Sequence, residues 1–230
     1  MTPKRLVLLV EGQGDVEAAP VLVKRLLAEH DAFDVVLLDP YPFRVGEYSK
    51  ISKNDFGEWR RLLQDAALRK NVGACLLLLD GDSPRKVDGQ PFCAARAARR
   101  LAEEARKVGG GSLFSVAIVF ACMEFESWLI AGVESLKGKA FSDGRAGIPN
   151  TVQEIPRDPE RVPRDAKGWL GRAMKGYSPS RDQAELTRLV DLDAIRQNSV
   201  RSFRRLEDAI RELVGAIRSG QHAVTPTSGS

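Results

Sequence analysis

The sequence predicts an α/β fold, a mostly parallel four-stranded sheet flanked by helices, with a helical extension at its C-terminal end. Three observations carry this. Apolar runs recur at residues 6–10, 33–38, 74–79 and 113–121, and each leads into a stretch of near-helical apolar spacing. Such strand–helix alternation builds a doubly wound sheet. The run Leu76-Leu77-Leu78-Leu79 holds no charge, as a strand covered on both faces must. Finally, residues 200–218 place Phe203, Leu206, Ile210, Leu213, Val214 and Ile217 on one helical stripe.

The elements follow in order. Residues 6–10 form the first strand, and Glu11-Gly12-Gln13-Gly14-Asp15 turns the chain. Asp15 is suited to cap the next helix, residues 16–30, as well as to bind a ligand. Pro20 belongs in a first turn, which places the regular helix from about Ala18 onward. After the second strand, residues 41–53 lack periodicity and read as a loop carrying Arg44, Lys50 and Lys53. Asp55 and Glu58 have the spacing of a capping box before a helix with Trp59, Leu62, Leu63 and Ala66 on one face. The third strand, residues 74–79, ends on Asp80-Gly81-Asp82-Ser83, and a hydrophilic loop runs to Gln90. A helix over 94–108 stops at three glycines, and the fourth strand runs into Cys122-Met123-Glu124-Phe125-Glu126-Ser127-Trp128-Leu129. Residues 137–163 are rich in Gly, Pro and charge and form a surface excursion. Short helices are expected at 166–175 and 181–189. The chain divides into an α/β domain (1–136), a loop and helical extension packed on it (137–218) and a flexible tail (219–230).

Composition narrows the classes. With 43% apolar and 29% charged residues the chain is expected to be a soluble globular protein with a packed core. No apolar run approaches the roughly 20 residues of a membrane span, and no signal-peptide pattern opens the chain. Cys75, Cys93 and Cys122 form no C-x-x-C pair and read as reduced thiols, Cys122 in the core with Trp128, in a cytoplasmic protein. The net charge of +4 permits a nucleic-acid partner without requiring one.

The chemistry gathers at strand ends. In open parallel sheets ligands bind beyond the carboxyl ends of the strands. Three strands deliver acids there: Glu11 with Asp15, Asp80 with Asp82, and Glu124 with Glu126. Gathered like charges favour a cation, and an all-oxygen donor set favours Mg²⁺ or Mn²⁺ over zinc. His30 and His222 stand in a helix end and the tail, away from this edge. Asp80-Gly81-Asp82 also fits a simple strand-ending turn. Glu124 and Glu126 reach one site only if the chain bends between them, so one of the two is expected to be solvated or to cap a helix.

These residues resemble a known arrangement. Leu9-Val10-Glu11-Gly12 after the first strand, with a later strand ending Asp80-x-Asp82, is similar to the Toprim domain of topoisomerases, primases and overcoming-lysogenization-defect (OLD) nucleases. With Cys122–Leu129, Ala166-Lys167-Gly168-Trp169-Leu170, the segment 177–184 and Ser202-Phe203-Arg204-Arg205-Leu206, the chain resembles the bacterial DUF4276 family through about Arg218. The resemblance implies a Toprim-like, Rossmann-like fold. It implies metal ligation by Glu11, Asp15, Asp80, Asp82 and Glu124, with Glu126 the alternative to Glu124, and catalytic roles for Glu11, Asp80, Asp82 and a phosphate-steadying Lys167. The expected activity is Mg²⁺- or Mn²⁺-dependent phosphodiester hydrolysis of nucleic acid. Basic residues Lys50, Lys53, Arg85, Arg204 and Arg205 are candidate backbone contacts. An AAA- or ABC-type ATPase partner and a part in anti-phage defence are further implications. Two other readings compete: a metal-binding sensor or interaction subunit without catalysis, and a haloacid-dehalogenase-type phosphatase prompted by the apolar run before Asp80.

Overall fold

The computed structural model describes residues 2–82, 86–87, 90–162 and 165–227. It is an open parallel sheet between two helical layers. Strand β1 (Lys4–Val10) leads through helix α1 (Gln13–Glu29) to β2 (Val36–Leu38), then β3 (Phe43–Arg44). Helices α2 (Tyr48–Ile51) and α3 (Lys53–Ala67) precede β4 (Val72–Asp80). A small antiparallel pair off the sheet, β5 (Lys86–Val87) and β6 (Gln90–Pro91), is followed by α4 (Ala94–Arg106) and β7 (Ser115–Ala121). Beyond β7 come α5 (Glu126–Ala131), α6 (Ala166–Ala173), a π turn (Pro179–Gln183), α7 (Ala184–Leu189), α8 (Leu192–Gln197) and α9 (Arg201–Ser219), and last β8 (Val224–Thr225).

The strands lie in the order β2-β1-β4-β7-β8, all parallel, with β3 beside the end of β1. The pleat sorts β4 between two cores: Ala74, Leu76 and Leu78 face one layer, and Cys75, Leu77 and Leu79 face the other. The first core is built with α1, α5 and α9, and the second with α3 and α4. Each leucine of this strand is at most 4% exposed, and full burial is worth about 2 kcal/mol apiece. The four strands expected from the sequence form the body of the sheet.

The order of these strands decides where a ligand site lies. From β1 the chain first goes outward to β2, then returns to the other side of β1 as β4. The strand order therefore reverses between β1 and β4, and a crevice opens beyond their carboxyl ends. Glu11 follows one of these strands and Asp80 ends the other.

Several local expectations are corrected. Helix α1 starts at Gln13 rather than near Ala18, and Pro20 lies inside it. The early start is held by Asp15, whose carboxylate accepts the Gly12 amide at 2.8 Å from the third helical position, so Asp15 is not itself the N-cap. Residues 41–53 are not a plain loop but hold β3 and α2. Asp55 and Glu58 do not cap α3: Asn54, Asp55 and Phe56 have left-handed φ of 53°, 47° and 60°, and Glu58 pairs with Arg61. This conformation costs roughly 1–2 kcal/mol per residue and is covered by the Arg100 guanidinium over the Phe56 ring. Cys122 is exposed while Trp128 is buried, and Cys93 is also exposed. Residues 219–227 are not a free tail, because β8 adds to the edge of β7 with Val224 and Thr225 buried. Among the described residues no helix is long and apolar enough to cross a membrane.

Candidate functional site

The apolar strands hand their polar ends to one another at the switch point. The Glu11 carboxylate accepts the Asp80 backbone amide at 3.0 Å, joining the end of β1 to the end of β4. Asp80 in turn accepts the Phe125 amide at 2.9 Å, which ties β4 to the turn after β7. Gly81 is required between the two aspartates, since a Cβ there would lie 2.6 Å from the Ala121 carbonyl oxygen. Asp82 is exposed at the rim.

Opposite these acids stands Lys167, on the first turn of α6, whose N-cap Asp165 accepts the Gly168 amide. Its ammonium lies 3.2 Å from Asp80 and 3.3 Å from Glu124, and its backbone amide donates to Glu124 at 3.0 Å. The expectation that one of Glu124 and Glu126 is solvated or caps a helix is overturned: both are buried, and the N-cap of α5 is Phe125. Met123 adopts a left-handed φ of 67°, and this bend turns both acids inward. Glu126 accepts the Tyr177 hydroxyl at 2.9 Å through one oxygen, and its other oxygen is buried without a partner.

Asp15 completes the cluster from α1. Beside its bond to Gly12 it accepts the Gln183 side-chain amide at 3.0 Å. This requires α1 to approach the π turn closely, and Gly14 permits it. A Cβ at Gly14 would fall 2.0 Å from the Gln183 side-chain oxygen and 2.8 Å from Pro179.

The electrostatics follow from crowding acids in a dry edge. Burial pushes Glu11 up to about 7, opposed by its bond from the Asp80 amide and reinforced by Asp15 and Asp82. Burial also holds Asp80 well above the usual carboxylate range, against the pull of Lys167 and with the push of Asp15 and Glu11. Asp15 is raised by burial, against its bonds from Gly12 and Gln183. Glu126 rises to about 7 through burial, with Lys167 acting the other way. Burial alone would lower Lys167, but Asp80, Glu126 and Glu124 outweigh it and hold the ammonium above the ordinary lysine range.

The structure thus brings Glu11, Asp15, Asp80, Asp82, Glu124, Glu126 and Lys167 into one neighbourhood. Their donors are hard oxygens. As they stand, no three His, Cys, Asp or Glu side chains among the described residues are grouped to hold a metal ion. Glu11, Asp80, Asp15 and one oxygen of Glu126 are engaged by backbone amides, Gln183 and Tyr177, and Lys167 lies between Asp80 and Glu124.

The basic candidates are scattered. Lys50 and Lys53 are exposed on α2 and at the start of α3. Arg204 donates to the Ser199 carbonyl, whereas Arg205 reaches Thr225 and Glu212. Arg85 lies outside the described residues. Sequence reasoning assigned no role to Tyr177 and Gln183, which orient Glu126 and Asp15. The segment that carries them had only its likeness to the family to mark it.

No curated protein matches the chain. One family model does, over residues 10–211, from the end of β1 to within α9, so it takes in every acid of the cluster and Lys167. Its description is "Domain of unknown function (DUF4276)". By a match over most of its length, the chain belongs to the DUF4276 family.

Proposed function

We propose that the cluster is the centre of a Mg²⁺- or Mn²⁺-dependent phosphodiesterase acting on nucleic acid. The observation that carries this is the direct contact of Glu11 with the Asp80 amide across the switch point, with Asp82 and Lys167 beside it. A glutamate after the first strand and an Asp-x-Asp at the end of its neighbour resemble a Toprim domain.

The donor chemistry suits a hard divalent cation, because among the described residues six carboxylates gather around Lys167, and the like charges of Asp15 and Asp82 add to the burial that raises Glu11 to about 7. Glu11, Asp80 and Asp82 would hold it, with Glu124 close by. When bound, such a cation neutralises phosphate charge and makes a bound water more acidic. The protein's own share is positional. Asp80 is fixed by the Phe125 amide and Glu11 by the Asp80 amide, so the edge is preorganised by backbone rather than by mobile side chains. Lys167 is 43% exposed on a flexible stem and is placed to hold a phosphate oxygen arriving at the rim.

The test gives purified protein supercoiled plasmid, linear DNA, RNA and para-nitrophenyl phosphate with Mg²⁺ or Mn²⁺. Cleavage of nucleic acid should fall at least about 100-fold in Asp80→Asn and in Glu11→Gln. Nicking that survives both substitutions refutes the assignment. Turnover of the small ester alone points to a phosphatase instead.

A second reading is favoured by the Lys167 bridge, which already balances Asp80 and Glu124. In it the protein is a metal-responsive subunit without catalysis, completed by a partner such as an ATPase. No turnover, with thermal stabilisation by Mg²⁺ that Asp80→Asn abolishes, supports that reading.

A further inference from the structure

The sheet is unfinished along its β7 edge. β8 pairs only with Val116 and Ala117, so among the described residues β7 has no outer neighbour from Ile118 onward. Helices α4 and α9 pack on opposite faces of this edge and bound a groove of about 1040 Å³. Ile118 and Phe120 form its floor. Its volume matches the upper end of the roughly 300–1,000 Å³ of ligand pockets. Gly81 is among its lining residues, so the groove reaches the turn between Asp80 and Asp82.

The lining is cationic. Arg99 comes from α4, Arg157 and Arg161 from the loop before α6, and Arg201 and Arg205 from α9. Three acids share the groove and each is engaged. Asp158 lies 3.4 Å from Arg161, and Glu212 lies 3.1 Å from Arg205. Glu160 accepts the Arg201 and Ser202 amides at 2.9 and 2.7 Å, where it also offsets the positive end of α9. No carboxylate of the described residues pairs with the Arg157 or Arg201 guanidinium. Among the described residues, five arginines against three carboxylates along an open strand edge complement an extended polyanion. Guanidinium forks suit phosphate oxygens in particular.

We propose that this groove binds a single strand of nucleic acid, its phosphates against Arg157, Arg201 and their neighbours, and leads it past Gly81 to Asp80 and Asp82. The delivery rests on the phosphodiesterase reading of the carboxylate cluster, whereas the binding does not. A recess that follows a single strand edge between two helices suits one extended chain, and the comparison with duplex tests this. The floor is aliphatic and buried aromatic, without an exposed stacking ring, so little base preference is expected.

The experiment measures binding of a fluorescein-labelled oligothymidylate of about 12 nucleotides by anisotropy, in EDTA, between about 50 and 200 mM salt. The wild type is compared with Arg157→Ala/Arg201→Ala and with Arg172→Ala, an exposed residue of α6, as a surface control, all checked for an unchanged melting temperature. The double variant should bind at least about tenfold more weakly, with the slope of log affinity against log salt shallower by about 1.4, or about 0.7 per lost phosphate contact. Arg172→Ala should bind as the wild type does. Unchanged affinity in the double variant, tighter binding of duplex, or equal arginine-dependent binding of a polyglutamate peptide overturns the inference. Arginine-dependent binding without cleavage by any form retires the phosphodiesterase reading and leaves the groove standing. Cleavage that persists with binding indifferent to both arginines does the reverse.

Discussion

Lys167→Met removes the cation that, among the described residues, stands inside the carboxylate cluster. The ammonium stands 3.2 Å from Asp80 and 3.3 Å from Glu124. At an effective dielectric of about 20 each contact is worth about 5 kcal/mol of Coulomb energy before desolvation. Breaking a buried pair typically costs about 3–5 kcal/mol. Lys167 is 43% exposed, so solvent screens part of this and the expected loss at pH 8 is about 2–3 kcal/mol. The carboxylates left behind can escape repulsion by taking up protons, and Asp80 and Glu126 already lie above their ordinary range. The loss should therefore shrink to about 1 kcal/mol or less at pH 5.5. Urea unfolding at the two pH values measures both. The bond from the Lys167 backbone amide to Glu124 survives the substitution, so α6 should stay docked and the urea slope should not change. An equal loss at both pH values, or none at pH 8, refutes the account of Lys167 as the charge that balances the edge.

Three further outcomes follow from the same geometry. Gly14→Ala should destabilise by about 1–3 kcal/mol through overpacking against Gln183 and Pro179. Shortening the colliding side chain in Gly14→Ala/Gln183→Ala should recover part of that loss, a coupling that a double-mutant cycle reads. Glu11 and Glu126 are raised from 4.5 to about 7, so the folded state holds more protons than the unfolded chain between those values. Stability is then greatest below about pH 4.5 as far as these two groups are concerned and falls as pH rises through 7, by up to about 3 kcal/mol for each. Glu11→Gln should flatten its share of that slope in a series of melts across pH. Val224→Asp places a carboxylate at a buried edge position and should lower the melting temperature by at least about 5 °C, an effect that a free tail would not show.

The alternation of apolar strands with helices was legible because it is a one-dimensional pattern. A strand covered on both faces must be apolar along its whole length, and β4 announces itself for that reason. The acids of the site were legible for a related cause, since a charge directly after such a strand is out of place unless something receives it. Local rules failed where distant groups overrode them. Asp15 is shaped like a cap, yet it serves Gly12 from inside α1 and receives Gln183 from a turn 168 positions on. Asp55 and Glu58 have the spacing of a capping box, yet the chain runs left-handed through 54–56 under Arg100. The tail at 219–230 is small and polar, and nothing in it foretells that Val224 closes against β7.

The sequence by itself determined the layered α/β plan and the kind of donor at the strand ends, because burial and charge are written residue by residue. Only the tertiary structure decided that β4 returns to the far side of β1 and sets Asp80 against Glu11. It also turned both Glu124 and Glu126 inward through the bend at Met123. Strand order and long-range approach depend on how whole faces pack, and no local window of the chain contains that information.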